Sequence, residues 1–138
     1  LMYAPHREEL PETADIVCNM PLFRDLEPEA LAQLAKATEE MFFSPGDIVI
    51  TEGDESDCMY VIARGAAAVT KQSRGKEIFL DTLCGGDIVG EMALLTGEKR
   101  NATVQAVTTA TVGRIDRASF RQIMKHARSL RARVWTAF

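Results

Sequence analysis

Apolar positions follow two different periods along this chain, and the change of period divides it into three parts. Residues 1–11 carry Pro5 and Pro11 with little periodicity, so they read as a linker. Glu12 to Asn19 is weakly helical until Pro21 interrupts it, because proline pushes the residue before it out of helical backbone. Pro28 stands at a favoured first helical position, and Ala30, Leu31, Leu34 and Ala35 supply apolar contacts at i, i+3 and i+4 spacing.

The pattern changes at Met41. From there to Ile115 short β-branched runs are divided by glycine turns, with Gly46-Asp47, Gly53-Asp54 and Gly86-Asp87 repeating and Gly65 and Gly75 between them. The predicted strands are Ile48–Ile50, Met59–Ile62, Val69–Thr70, Ile78–Leu83, a short one ending at Val89-Gly90, Ala102–Ala106 and Thr111–Ile115. Many short strands at close intervals predict a mainly β fold with flanking helices, an antiparallel β-roll (jelly-roll) that hides its strand edges. Ala66-Ala67-Ala68 is a bland stretch within it that affects packing only.

Asp116 then reads as the N-cap of a terminal helix, with Phe120, Ile123, Met124, Ala127, Leu130 and Val134 as its apolar stripe. Arg117, Arg121, Lys125, Arg128, Arg131 and Arg133 make that helix basic. They form either a solvated face or a set that meets an anionic ligand or an acidic partner.

Bulk properties narrow the function classes. At 138 residues, 46% apolar and 26% charged, the chain fits one soluble globular domain. A net charge of −4 argues against a whole-surface nucleic-acid binder. Cys18, Cys58 and Cys84 lack the paired spacing of a disulfide framework or a zinc knuckle, and read as reduced, mostly buried thiols of a cytoplasmic protein. No apolar run is long enough to span a membrane, and no signal-peptide pattern opens the chain. Leu1 in place of methionine suggests a piece of something longer, or a processed terminus.

The stretch from Gly86 to Val104 carries the chemistry. A short helical turn beginning at Glu91 offers free backbone N–H groups to an anion, and Ala93 is small enough to let a ligand approach them. Nine residues on, Arg100 returns to the same place with a guanidinium fork suited to phosphate oxygens. Glu91 repels phosphate, so it either holds a ribose 2′-hydroxyl beside the phosphate, as a cyclic nucleotide presents it, or simply pairs with Arg100.

This stretch resembles the phosphate-binding cassette of the cyclic-nucleotide-binding domain family, which includes catabolite activators and protein-kinase-A regulatory subunits. The resemblance rests on Gly90-Glu91-Met92-Ala93-Leu94 followed by Arg100-Asn101-Ala102-Thr103-Val104. Upstream, Ser44-Pro45-Gly46-Asp47-Ile48-Val49-Ile50, Glu52-Gly53-Asp54, Met59-Tyr60-Val61-Ile62, Arg64-Gly65 and Pro21-Leu22-Phe23-Arg24-Asp25-Leu26 resemble other family motifs in the family's order. The resemblance implies a linker and N-terminal helix over 1–19, a β-roll with its leading helix over 20–116, and a lid or output helix over 117–138. It implies that Glu91 holds the ribose 2′-hydroxyl and Arg100 the cyclic phosphate of cyclic AMP (cAMP) or cyclic GMP (cGMP). The backbone of Gly90, Met92, Ala93, Asn101 and Ala102 would complete the cradle on a short cassette helix. Val69 and Leu80 would meet the base or sugar, or serve as ordinary core. Asn101 departs from the small or hydroxyl residue usual after the arginine, so it does not choose between the two nucleotides.

The implied activity is a non-catalytic sensor without cofactor or metal. A cupin-like metal site needs histidines on the strands, and His6 and His126 lie outside the β region. Three scattered cysteines do not make an iron–sulfur site, Ser/His/Asp catalysis has no local support, and no room follows the terminal helix for a DNA-binding domain. The expected partner is an effector domain of the same longer chain (a channel, antiporter, kinase or regulator, by resemblance to modules appended to bacterial membrane transporters), with a homo-oligomer left open. Such a chain is cytoplasmic, or the cytoplasmic domain of a membrane protein. Arg128, Arg131, Arg133 and Trp135 are candidate lid residues over the base. The rival reading is a domain of the same fold that binds no ligand and acts as a docking or assembly module.

Overall fold

The computed structural model describes residues 12–90, 94 and 96–125. Helix α1 (Glu12–Cys18) and helix α2 (Pro28–Ala37) lead into strands β1 (Glu39–Phe43), β2 (Ile48–Ile50), β3 (Cys58–Arg64) and β4 (Ala66–Ser73). Strands β5 (Lys76–Cys84), β6 (Ile88–Val89), β7 (Thr103–Ala106) and β8 (Ala110–Asp116) follow, then helix α3 (Arg117–Lys125). Two antiparallel four-stranded sheets, in the orders β1-β8-β3-β6 and β2-β7-β4-β5, face each other as the β-roll that the alternating runs predict.

Helix α2 begins at Pro28 as expected, with Glu29 in its first turn and Lys36 in its last, each suited to the helix dipole. Its Ala30 and Leu34 are buried, and the Thr38 hydroxyl donates to the Leu34 carbonyl at 2.7 Å to close the last turn. Helix α1 lies over β8 at Gly113. A Cβ there would sit 3.0 Å from Cγ2 of both Thr13 and Thr38, so only glycine lets the helix come this close.

Strand β3 is covered on both faces, which is why it reads as a nearly continuous apolar run. Met59 and Val61 point toward the helices and join Val17, Phe23, Leu34, Ile115, Phe120 and Ile123 in one core. Tyr60 and Ile62 point the other way, between the sheets, where Ile50, Ala67 and Val104 pack with Val69, Leu83 and Val89.

Two expectations need correction here. Strand β1 was not predicted, because it is an edge strand whose burial never reaches a full apolar alternation. Its two glutamates are fixed by partners far along the chain: Thr13 donates to Glu40 at 2.6 Å, and Glu39 pairs with Arg114 at 3.4 Å. The three thiols are free, but only Cys58 is buried. Cys18 is half-buried, and Cys84 is exposed because it ends the edge strand β5.

Helix α3 starts where the N-cap was expected: the Ser119 N–H donates to the Asp116 carboxylate at 2.7 Å. That bond holds the Asp116 carboxyl below its ordinary range. Phe120, Ile123 and Met124 are buried as the stripe requires. Ala127, Leu130 and Val134, and the basic residues from Arg128 onward, lie outside the described residues.

Two stability predictions follow from these local geometries. The two-residue hairpin turn Arg74–Gly75 has φ of 52° and 79°, and Ser73 pairs with Lys76 across it. A left-handed conformation costs an L-residue about 1–2 kcal/mol, which asparagine partly escapes. Arg74→Asn should therefore raise Tm by roughly 3 °C, read by calorimetry; a lower Tm would show that the arginine makes a compensating contact. For Asp116, the depressed carboxyl contributes stability above its unfolded pKa and loses it as pH falls through the folded value. Asp116→Ala should cost about 1 kcal/mol at neutral pH in urea unfolding, with the difference from wild type vanishing in acid. A deficit that stayed constant down to about pH 2 would count against the charged cap.

Candidate functional site

The segment entering β7 is tied at its first residue to the turn before β3. Gly53 N–H donates to the Arg100 carbonyl and Arg100 N–H donates to the Asp54 carbonyl, both at 2.8 Å. These two hydrogen bonds set where the Arg100 side chain leaves the backbone, and it turns inward: the residue is only 8% exposed. Its Nη2 donates to the Cys58 carbonyl at 2.5 Å and lies 3.6 Å from the Cys58 sulfur. Its Cζ lies 5.9 Å from the centre of the Tyr60 ring, at the outer limit of a cation–π contact. Burial, with a smaller contribution from Cys58, pushes the Tyr60 hydroxyl up to about 12 against the opposing pull of Arg114, so the ring stays neutral.

The other guanidinium nitrogen is different. Arg100 Nη1 is buried and has no hydrogen-bond partner among the described residues. It rests against Gly90, whose φ is +91° and whose hypothetical Cβ would lie 2.1 Å from Nη1. No carboxylate among the described residues forms an ion pair with Arg100. A buried charge without a counterion costs several kcal/mol, so a guanidinium that pairs with none of the described carboxylates suits an incoming anion.

Arg100 and Gly90 line a cleft of about 170 Å³ together with Ile50, Val69, Val89, Glu98, Lys99, Asn101, Ala102 and Val104. Its floor is apolar and its rim polar, the usual constitution of a small-molecule site. A second cleft of about 410 Å³ opens on the other side of Arg100, beside Asp54, Glu55 and Asp57. The largest groove, about 520 Å³, lies between α2 and α3 and does not include Arg100. Size alone would choose that groove; the buried unpaired cation and the apolar floor point to the smallest of the three.

Of the residues expected at the site, the structure brings Gly90, Arg100, Asn101, Ala102 and Val69 to this one cleft. Glu91, Met92 and Ala93 lie outside the described residues. Leu80 does not belong to it. Val69 pairs with Asp81 and Thr70 with Phe79, so a bulge leaves Leu80 without a cross-strand partner, and on the sheet edge it is 52% exposed. Sequence reasoning missed Ile50 and Val104 as lining residues. They adjoin Val69 in a single row across β2, β7 and β4, a register that no single strand reveals. It also missed Cys58, whose contribution is a backbone carbonyl and so independent of side-chain type. Among the described residues no group of histidines, cysteines and carboxylates is placed to hold a metal, and no helix is long and apolar enough to cross a membrane.

Comparison with known proteins meets this geometry directly: the cyclic nucleotide-binding domain profile matches residues 40–127. The chain belongs to that family. It is 36% identical over 117 residues to the cAMP-dependent protein kinase type II regulatory subunit of Drosophila melanogaster, covering 85% of this chain and 30% of that protein. It is 29% identical over 126 residues to a cGMP-dependent protein kinase, isozyme 2, of the same organism, covering 88% of this chain and 14% of that protein. Among solved structures, the regulatory domain of Toxoplasma gondii PKA with cAMP superposes with a TM-score of 0.76 at 27% identity, covering 88% of this chain and 46% of that one. The chain thus spans less than a third of the curated relatives cited here.

Gly90 offers a direct test of the packed guanidinium. A side chain at this position meets both the positive φ and the Arg100 nitrogen, so Gly90→Ala should cost roughly 3 kcal/mol in denaturant unfolding. Wild-type stability in this variant would show that Arg100 leaves Gly90 freely.

Proposed function

We propose that this chain is a non-catalytic regulatory module that binds cAMP or cGMP at the cleft beside Arg100 and transmits occupancy through its helices. The observation that carries the reading is Arg100, which lines an apolar-floored cleft and whose buried Nη1 has no hydrogen-bond partner among the described residues. A cyclic phosphate supplies the missing acceptor and countercharge, while Ile50, Val69, Val89 and Val104 provide surface for sugar and base. Glu91 takes the ribose 2′-hydroxyl, and the backbone at Gly90, Met92, Ala93, Asn101 and Ala102 completes the phosphate cradle. These roles follow the family pattern.

The route to the helices runs through Leu94. It is fully buried and belongs to the same core as Val17, Leu34, Phe120 and Ile123 of the three helices. Ordering the cassette around a phosphate therefore changes a contact that all three helices share. The segment from Asp116 onward acts as lid and output, with Arg128, Arg131, Arg133 and Trp135 over the base. The effector is a further part of a longer cytoplasmic chain or a separate partner, in keeping with relatives named as kinase regulatory subunits and kinases.

Calorimetric titration of the full chain with cAMP and with cGMP tests this, with Arg100→Ala and Arg100→Lys alongside. Hydrogen bonds to a charged group contribute about 1.5–3 kcal/mol each, so Arg100→Ala should weaken binding by roughly 100-fold. Arg100→Lys should fall between the two, because an ammonium cannot reproduce the fork. A folded wild-type chain that gives no heat with either nucleotide would leave the docking-module reading in its place.

A further inference from the structure

The buried side-chain polar atoms without a partner among the described residues are Ser56 Oγ, Arg100 Nη1 and Arg117 Nε. They are not scattered. All three belong to one short chain of contacts along the backbone that leads into β3. The Ser56 carbonyl accepts from Arg117 Nη2, the Asp57 carbonyl accepts from the Arg117 backbone N–H at 2.8 Å, and the Cys58 carbonyl accepts from Arg100 Nη2 at 2.5 Å. Three consecutive carbonyls therefore join the cleft arginine to the first residue of α3.

We propose that Arg117 is a positioning residue for Arg100, acting through the Ser56–Asp57–Cys58 backbone, so that anion capture at the cleft and docking of the α3 start are coupled. This rests on the reading of the cleft as a cyclic-nucleotide site. Arg100 meets the phosphate with Nη1 while Nη2 stays on the Cys58 carbonyl, so an anion that fixes the guanidinium also fixes the end of this backbone segment. At the other end, Arg117 holds two of the segment's three carbonyls, one with its side chain and one with its backbone. A segment that follows Arg100 must therefore either carry the start of α3 with it or break its bonds to Arg117.

Buried polar atoms without a partner among the described residues thus stand at both ends of the segment. Ser56 is 1% exposed, so its hydroxyl has no access to bulk water. This route is separate from the apolar one through Leu94, because none of its three residues belongs to the helical core.

The test is Arg117→Ala in the full chain, with cAMP and cGMP as probes and two readouts. Coupling between sites commonly amounts to about 5–150-fold, so the variant should bind at least about fivefold more weakly than wild type. Hydrogen exchange at the Arg117 and Ser119 amides should slow on ligand addition in wild type and much less in the variant. Arg117→Lys keeps a donor for the Ser56 carbonyl and should recover part of the affinity; it also carries the comparison if the alanine variant does not fold. A folded variant with wild-type affinity and wild-type ligand-induced protection would overturn the relay and leave nucleotide binding standing. A wild-type chain that binds neither nucleotide would overturn both.

Discussion

Burying one guanidinium group organises much of what surrounds it. Arg100 is held by its backbone to the Gly53–Asp54 turn, by Nη2 to β3, and by contact with a glycine whose backbone no other residue adopts easily. Each contact draws a separate part of the β-roll toward one point: the turn after β2, the first residue of β3, the end of β6 and the lead into β7. The remaining nitrogen, Nη1, is buried against Gly90 and has no hydrogen-bond partner among the described residues. A protein seeking only stability gains nothing from a buried cation with an unused donor, since a well-packed apolar residue costs less.

Strand β3 turns that local arrangement into something the rest of the chain can register. Its residues alternate between two cores, with Tyr60 and Ile62 between the sheets and Met59 and Val61 among the helices. Its first residue holds Arg100, and the residue before it accepts from the first residue of α3. Packed interiors have little slack, so in the proposed sensor a small displacement at the cleft would pass to the helix side as repacking. The Leu94 contact adds an apolar path beside the polar one.

Much of this was legible in the sequence because the relevant signals are local. Pro28 marks a helix start, Asp116 marks another, and glycine turns between β-branched runs mark a roll; each rests on a few neighbouring residues. Arg100, Gly90, Asn101 and Ala102 were legible through their motif, and the structure places them at one cleft. What escaped was set by partners distant in sequence. Strand β1 owes its place to pairing with β8, about 70 residues away (Phe43 meets Ala110, Glu39 meets Arg114). Leu80 was implied by the family resemblance, and a bulge in the pairing of β4 with β5 leaves it on the exposed sheet edge. Cys58 acts through its carbonyl, which every residue possesses, so no residue-type pattern could point to it.

The carboxylates near the cleft bear on why Arg100 remains available to a ligand. Asp54 meets Arg100 through its backbone carbonyl, and the Asp57 carboxylate lies 3.9 Å from Arg114, which also pairs with Glu39 at 3.4 Å. Arg114 thus takes up the Asp57 carboxylate, one of the acidic groups that line the second cleft with Arg100. If one of them paired with Arg100 instead, an incoming phosphate would have to break a buried ion pair before forming its own, at a cost of about 3–5 kcal/mol. That cost would cancel most of what two charge-assisted hydrogen bonds contribute. In the proposed site, a neighbouring arginine that draws the Asp57 carboxylate away would help to keep Arg100 open to a ligand, although it lines neither the cleft nor the acidic one behind it.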